Sequence, residues 1–166
     1  YHNDQPRLTH PTPHIALPVV IQQLGAERPE LRCTVAAIAD GTIDVIASGH
    51  DPRTQEDKRL PFADAQPGMA GAETLLALAL SLAREGQLSL AQVLARMTVA
   101  PAKIFGLAGG TLSLGSAADL MVFDADAPWR IDRDRFTGAR NTPFDGLPVA
   151  GRVRMTVKGG DLVWRD

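Results

Sequence analysis

Three side chains able to do chemistry stand within one short loop, at His50, Asp51 and Arg53. An imidazole, a carboxylate and a guanidinium so close together could move protons or hold an anion, and arginine donates bidentately to a carboxylate. The loop reads Ser48-Gly-His-Asp-Pro-Arg53. It follows a β-branched run, Thr42-Ile-Asp-Val-Ile-Ala47, and a helix signal begins near Gly71-Ala-Glu-Thr74. In barrel enzymes the loop after such a strand is where the reacting groups stand. Each residue also has an ordinary reading. Asp51-Pro52 is a good turn signal, His50 suits an imidazole bonded to backbone, and Arg53 suits a solvated loop. Gly68 is either a plain turn or a backbone donor, and Pro67 beside it has no N–H to offer. Gly49 can neither ligate a metal nor accept a proton.

The elements that must position this loop are readable from the period of the apolar residues. Leu31, Val35 and Ile38 share one face of a helix over residues 31–39, which Asp40-Gly41 ends. Thr42 to Ala47 predicts a buried strand of the parallel kind. Ala72 to Arg84 predicts an apolar helix stopped by Gly86. Ser89 with Gln92 forms a capping box for the next helix. Pro101 predicts the start of a third short helix, ended by Gly106. From Gly109 the period changes to that of strands, expected at 112–114, 119–123, 153–157 and 162–164. Gly109-Gly110, Gly115 and Gly159-Gly160 serve as turns, the last as a hairpin. Val153 to Lys158 alternates, so one wet and one buried face are expected.

The chain of 166 residues has the length of one domain. Its 17 basic and 19 acidic residues give net −2 without a basic run, against a nucleic-acid or membrane-surface partner. No apolar stretch approaches the roughly twenty residues needed to span a bilayer. One cysteine, Cys33, excludes an internal disulfide, fits a reducing compartment and reads as a packing residue. Tyr1-His-Asn-Asp-Gln5 is not a signal segment and has no initiator Met, so a cytoplasmic and processed or partial chain is expected. Residues 1–30 read as an irregular arm punctuated by Pro6, Pro11, Pro13, Pro18 and Pro29, with at most a short helix near Val19–Leu24. His2, His10 and His14 read as solvated on that arm, because Pro11 and Pro13 oppose a metal-binding helix face.

Several segments together resemble the C-terminal half of the cyclic amidohydrolases, and among them the dihydroorotases. Ala39-Asp-Gly-Thr-Ile-Asp-Val-Ile46 is similar to the strand leading to the family's last metal-site carboxylate. His50-Asp-Pro52 resembles the Asp-His-x-Pro loop without its Asp. Lys58-Arg-Leu-Pro-Phe62, Gly68 and Gly71-x-Glu-Thr74 resemble the substrate-side loop and the helix after it. Thr98 to Leu107 resembles the helix closing the barrel. Gly110-x-Leu-x-x-Gly-x-x-Ala-Asp-Leu-x-x-Phe-Asp124, Asn141-Thr-Pro-Phe144 and Gly151-Arg-Val-x-x-Thr156 resemble the small β-domain. The likeness runs over roughly residues 31–166.

The resemblance implies an α/β fold: the last strands of a metal-dependent (β/α)8 barrel plus the C-terminal strands of a small β-sandwich. Residues 1–30 would be a Pro-rich arm, 31–108 the last β/α units and 109–166 the small antiparallel β domain. A complete barrel needs about 250 residues, so this chain cannot build one alone. The implied activity is reversible hydrolysis of dihydroorotate to N-carbamoyl-aspartate, in pyrimidine biosynthesis. In the family, zinc activates the water and a carboxylate takes its proton. That carboxylate's position is Gly49 here, with Asp51 two residues on as a substitute. Arg53 stands where many members have a His that contacts the substrate carboxylate. His50 matches the family's loop histidine, and Gly68 the site of a backbone contact with substrate. The His-x-His pair, the bridging lysine and the two later histidines are absent, so no metal ligand is assigned and no bound zinc is expected. Two readings stay open: the C-terminal part of an enzyme, inactive alone, or a non-catalytic relative supporting a partner such as aspartate transcarbamoylase. Exposed apolar faces of a partial barrel imply self-association.

Overall fold

A computed structural model of the chain describes residues 15–16 and 29–166. The short helix expected at 19–24 and the histidines at 2, 10 and 14 lie outside the described residues, as do the surroundings of the Cys33 side chain. Strand β1 (Ile15–Ala16) pairs in parallel with β2 (Val45–Ile46), Ile15 opposite Val45. Helix α1 (Pro29–Asp40) precedes β2. Helices α2 (Gln55–Arg59), α3 (Leu75–Arg84), α4 (Leu90–Met97) and α5 (Val99–Phe105) follow. Strands β3 (Leu120–Arg130), β4 (Pro148–Lys158) and β5 (Asp161–Arg165) form an antiparallel sheet in that order. Among the described residues no helix is long and apolar enough to cross a membrane.

The strand expected over 42–47 is shorter than its β-branched run. Asp40 accepts the Thr42 N–H at 2.8 Å, Gly41 takes a left-handed φ of 91°, and the Ile43 N–H returns to the Ala37 carbonyl. Residues 42–44 are therefore spent on leaving α1, and only Val45 and Ile46 reach the ladder, both buried. The N–H groups of Thr74 and Leu75 both donate to the Gly71 carbonyl, so a turn stands where a helix from Ala72 was expected. The third short helix starts at Val99, not Pro101. Pro101 then falls in the first turn, where backbone N–H groups have no helical acceptor anyway. The capping box at Ser89 and Gln92 forms as expected, and Gly106 closes α5 with φ 64°.

Helix α3 joins two cores because its apolar residues cover most of its circumference. Ala79 and Leu82 pack with Ile38, Ile46, Leu88 and Val93. Leu78 packs with Ala70, Ile131, Phe136 and Phe144. The close approach of α3 to β4 needs Gly151, whose φ is 100°; a Cβ there would lie 2.4 Å from Leu80 Cδ1. Arg96 of α4 ties the layers by donating to the Ile38 carbonyl at the end of α1, at 3.1 Å.

In the C-terminal third, no strand forms at 112–114. Leu112 and Leu114 project into solvent, and Thr111 accepts the Ser113 N–H at 3.1 Å to make a local turn instead. The other three expected strands form and are longer than their apolar runs. A register shift between Asp124 and Pro128 interrupts β3, and there Asp124 accepts the N–H groups of Asp126 and Ala127. The hairpin at Gly159-Gly160 forms with both glycines at positive φ, 59° and 94°, as its two-residue loop requires. The expected alternation over 153–158 is blurred: Met155, Thr156 and Val157 are all half-buried. Both faces of this thin sheet remain partly in contact with water.

Candidate active-site loop

The sequence-predicted site residues gather on two adjacent segments, 48–53 after β2 and 67–72 before α3. These segments are zipped together by backbone. Asp51 N donates to the Met69 carbonyl at 2.9 Å, and His50 and Met69 form a parallel bridge. Gly71 is needed at the crossing: a Cβ there would sit 2.4 Å from the Ser48 carbonyl oxygen.

His50 Nδ1 accepts the N–H groups of Gly71 and Ala72, both at 3.2 Å. With its Nδ1 lone pair so used, the neutral ring carries its proton on Nε2. The imidazole thus holds the start of α3 against the loop that ends β2. Gly49 precedes it with φ 59°, in the left-handed region that favours glycine.

Asp51 and Arg53 face each other. Arg53 Nη2 lies 2.6 Å from Asp51 Oδ2, and Arg53 Nε donates to the Pro67 carbonyl at 2.8 Å. The two side chains are 31% and 56% exposed for Arg53 and Asp51, so solvent reaches the pair. Gly68 stands directly over it with φ 123°. Its carbonyl accepts from Asn141 Nδ2 at 3.4 Å, and its N–H has no acceptor among the described residues.

A third segment, around Thr137 and Asn141, braces the first two. The Asn141 carbonyl accepts from Ala70 N at 3.1 Å. Asn141 Oδ1 is buried and has no hydrogen-bond partner among the described residues. Glu73, just before α3, accepts both the N–H and the hydroxyl of Thr137, at 3.0 and 3.2 Å. Helix α2 was also missed. Its signal was present as Thr54-x-x-Asp57, which forms a reciprocal capping box. Lys58 from α2 donates to the Gln66 carbonyl at 2.8 Å, fixing the loop that carries Pro67 and Gly68.

The described residues of the loop do not fit a zinc site. Among the described residues no three His, Cys, Asp or Glu side chains converge. At the loop itself His50 Nδ1 is committed to two N–H groups, Asp51 is paired with a guanidinium, and position 49 has no donor atom. What the geometry does is hold the Asp51 carboxylate on Arg53, beside the Gly68 N–H, which has no acceptor among the described residues. A separate cavity of about 880 Å³ lies between α3 and the sheet, bordered by Glu73, Trp129, Arg135 and Trp164, and contains none of the loop residues 48–53.

The profile of the amidohydrolase family matches residues 24–163. The chain is 42% identical over 138 residues to a dihydroorotase of Anaeromyxobacter dehalogenans, covering 82% of this chain and 32% of that one. It is 39% identical over 137 residues to a dihydroorotase-like protein of Pseudomonas aeruginosa, again 82% of this chain and 32% of the relative. Among solved structures it superposes on L-hydantoinase (dihydropyrimidinase) from Arthrobacter aurescens with TM-score 0.75 and 31% identity, over 89% of this chain and 36% of that one. The chain thus spans about a third of the length of the curated relatives it matches. The α/β arrangement and the ordered motifs agree with that likeness, and the chain belongs to the amidohydrolase family.

Proposed function

We propose that these residues form the C-terminal part of a dihydroorotase-like cyclic amidohydrolase, and that the isolated chain does not turn over. Its reaction class would be reversible hydrolysis of dihydroorotate to N-carbamoyl-aspartate, with zinc in the family supplying an activated water. One observation carries the second half of this reading. The loop after β2 is built and braced, yet glycine stands at position 49, where the resemblance puts the proton-accepting carboxylate. Asp51, the nearest carboxylate, is turned onto Arg53. Strands β3–β5 would belong to the small sandwich, with residues 109–166 as its share of the fold. Arg53, Gly68 and His50 would serve the substrate side of the site, Arg53 through the substrate carboxylate.

Glycine at position 49 also favours a second reading, a non-catalytic relative that supports a partner such as aspartate transcarbamoylase. A dihydroorotase assay in both directions separates the two, run on the longest natural chain containing these residues, wild type and Gly49→Asp. Turnover that rises in Gly49→Asp supports an enzyme-derived site whose defect is at 49. No turnover in either form, with stable co-sedimentation with aspartate transcarbamoylase, supports the supporting role. Full turnover in the wild type would overturn the assigned loss at Gly49.

A further inference from the structure

We infer that Arg53 is a carboxylate receptor already filled by the chain's own Asp51, so that the loop excludes free carboxylates until Asp51 is displaced. This deepens the reading above and rests on it for the placement of Arg53 toward substrate. The receptor itself is seen in the geometry. A guanidinium carries several N–H donors in one plane and binds carboxylates through them. Here Nε donates to the Pro67 carbonyl at 2.8 Å, and the Asp51 carboxylate is held end-on, by Nη2 on Oδ2 at 2.6 Å. The carbonyl fixes the guanidinium plane, and Asp51 supplies the anion.

Asp51 is held in that place by its own backbone. Its N–H donates to the Met69 carbonyl at 2.9 Å, and Pro52 fixes the next φ. Only one residue separates it from Arg53, so its carboxylate is present at an effective concentration of about millimolar or more. A free ligand must compete with that internal group. Yet solvent reaches the pair, Asp51 more than Arg53. Gly68 stands above, where a Cβ would lie 2.9 Å from Asp51 Oδ2 and 3.0 Å from Arg53 Nε. Any residue but glycine would crowd the pair. The site is built to be reached and is occupied from within.

The test is titration of the 166-residue chain with succinate and, separately, N-carbamoyl-L-aspartate, following the Arg53 Nε–H and Gly68 N–H resonances by nuclear magnetic resonance. Removing the internal anion in Asp51→Asn is expected to tighten succinate binding about tenfold, and Arg53→Gln in that background to abolish it. Equal affinity in wild type and Asp51→Asn, or a gain that survives Arg53→Gln, overturns the inference. A gain for succinate with none for N-carbamoyl-L-aspartate keeps the internal anion and removes the dihydroorotase substrate. If Asp51→Asn disturbs the Gly71 and Ala72 amide signals, Asp51→Ser is read in its place against the same criteria.

Discussion

The core around α3 and the C-terminal sheet treat their apolar residues in opposite ways. Around α3, Ile38, Ile46, Leu78, Leu80, Leu82 and Val93 are each no more than 2% exposed. On the sheet, Leu120, Met121, Val122, Leu162, Val163 and Trp164 are each at least 40% exposed. The helical layers close over their own core because α3 is apolar nearly all round and has a neighbour on each side. Of the described helices, α3 makes the main contact with the three-stranded sheet, on β4. Strands β3 and β5 keep apolar surface in water. For the self-association expected from a partial barrel, the most exposed apolar side chains among the described residues are Phe62, Leu112, Leu114 and Leu107 in loops, followed by Phe105 of α5 and Val163 of the sheet.

The contrast breaks first at the core. Leu82→Ala is expected to lose about 2–5 kcal/mol in urea unfolding, whereas Leu114→Ala, fully in solvent, should stay within about 0.5 kcal/mol. Comparable losses at the two positions would mean that the contrast is false. Where the two parts meet, Gly151→Ala drives a methyl into Leu80 at a left-handed φ and should cost about 1–3 kcal/mol. A neutral result would show that α3 and β4 are not pressed together. At the loop, His50→Ala strips two N–H groups of their acceptor. It should cost about 1–2 kcal/mol, with faster hydrogen exchange confined to Gly71 and Ala72.

The smallest effect is at the sheet hairpin. The Asp119 carboxyl is held below its ordinary 3.8 by the Lys158 ammonium and then by the Gly159 N–H. A depressed folded value stabilises above the unfolded one and is lost as the pH falls through the folded one. The Gly159 and Gly160 amide shifts should therefore be flat from neutral pH down to about 4 and move only below it. Movement between pH 5 and 7 would assign the hairpin to another group.

Much of this was legible in the sequence because local chemistry decided it. The Ser89–Gln92 box, the Gly106 stop and the Gly159-Gly160 turn each depend on residues within one turn of chain. The misses have a common cause in contacts from elsewhere. Thr42 to Asp44 read as strand by composition, but Asp40 and Ala37 take their N–H groups for the helix exit. Leu112 to Leu114 read as strand, but no neighbouring strand takes up the segment. In the candidate loop, Gly49, His50, Asp51, Arg53 and Gly68 could be singled out from their order alone, and the fold sets them on two adjoining segments. Asp51 and Arg53 are neighbours in sequence, but the Pro67 carbonyl that takes the Arg53 Nε–H, and the Thr137 and Asn141 contacts that brace Glu73 and Gly68 across 64 and 73 residues, depended on the fold bringing distant segments together.

The central claim is that this loop retains the shape of an amidohydrolase site without a metal-ligating donor set. The most direct measurement is the zinc content of the chain after equilibration with zinc and gel filtration, read beside a dihydroorotate hydrolysis assay on the same sample. The account predicts no turnover, and any retained zinc to be unchanged by Asp51→Asn. One zinc per chain that is lost in Asp51→Asn, together with turnover in the wild type, would contradict it.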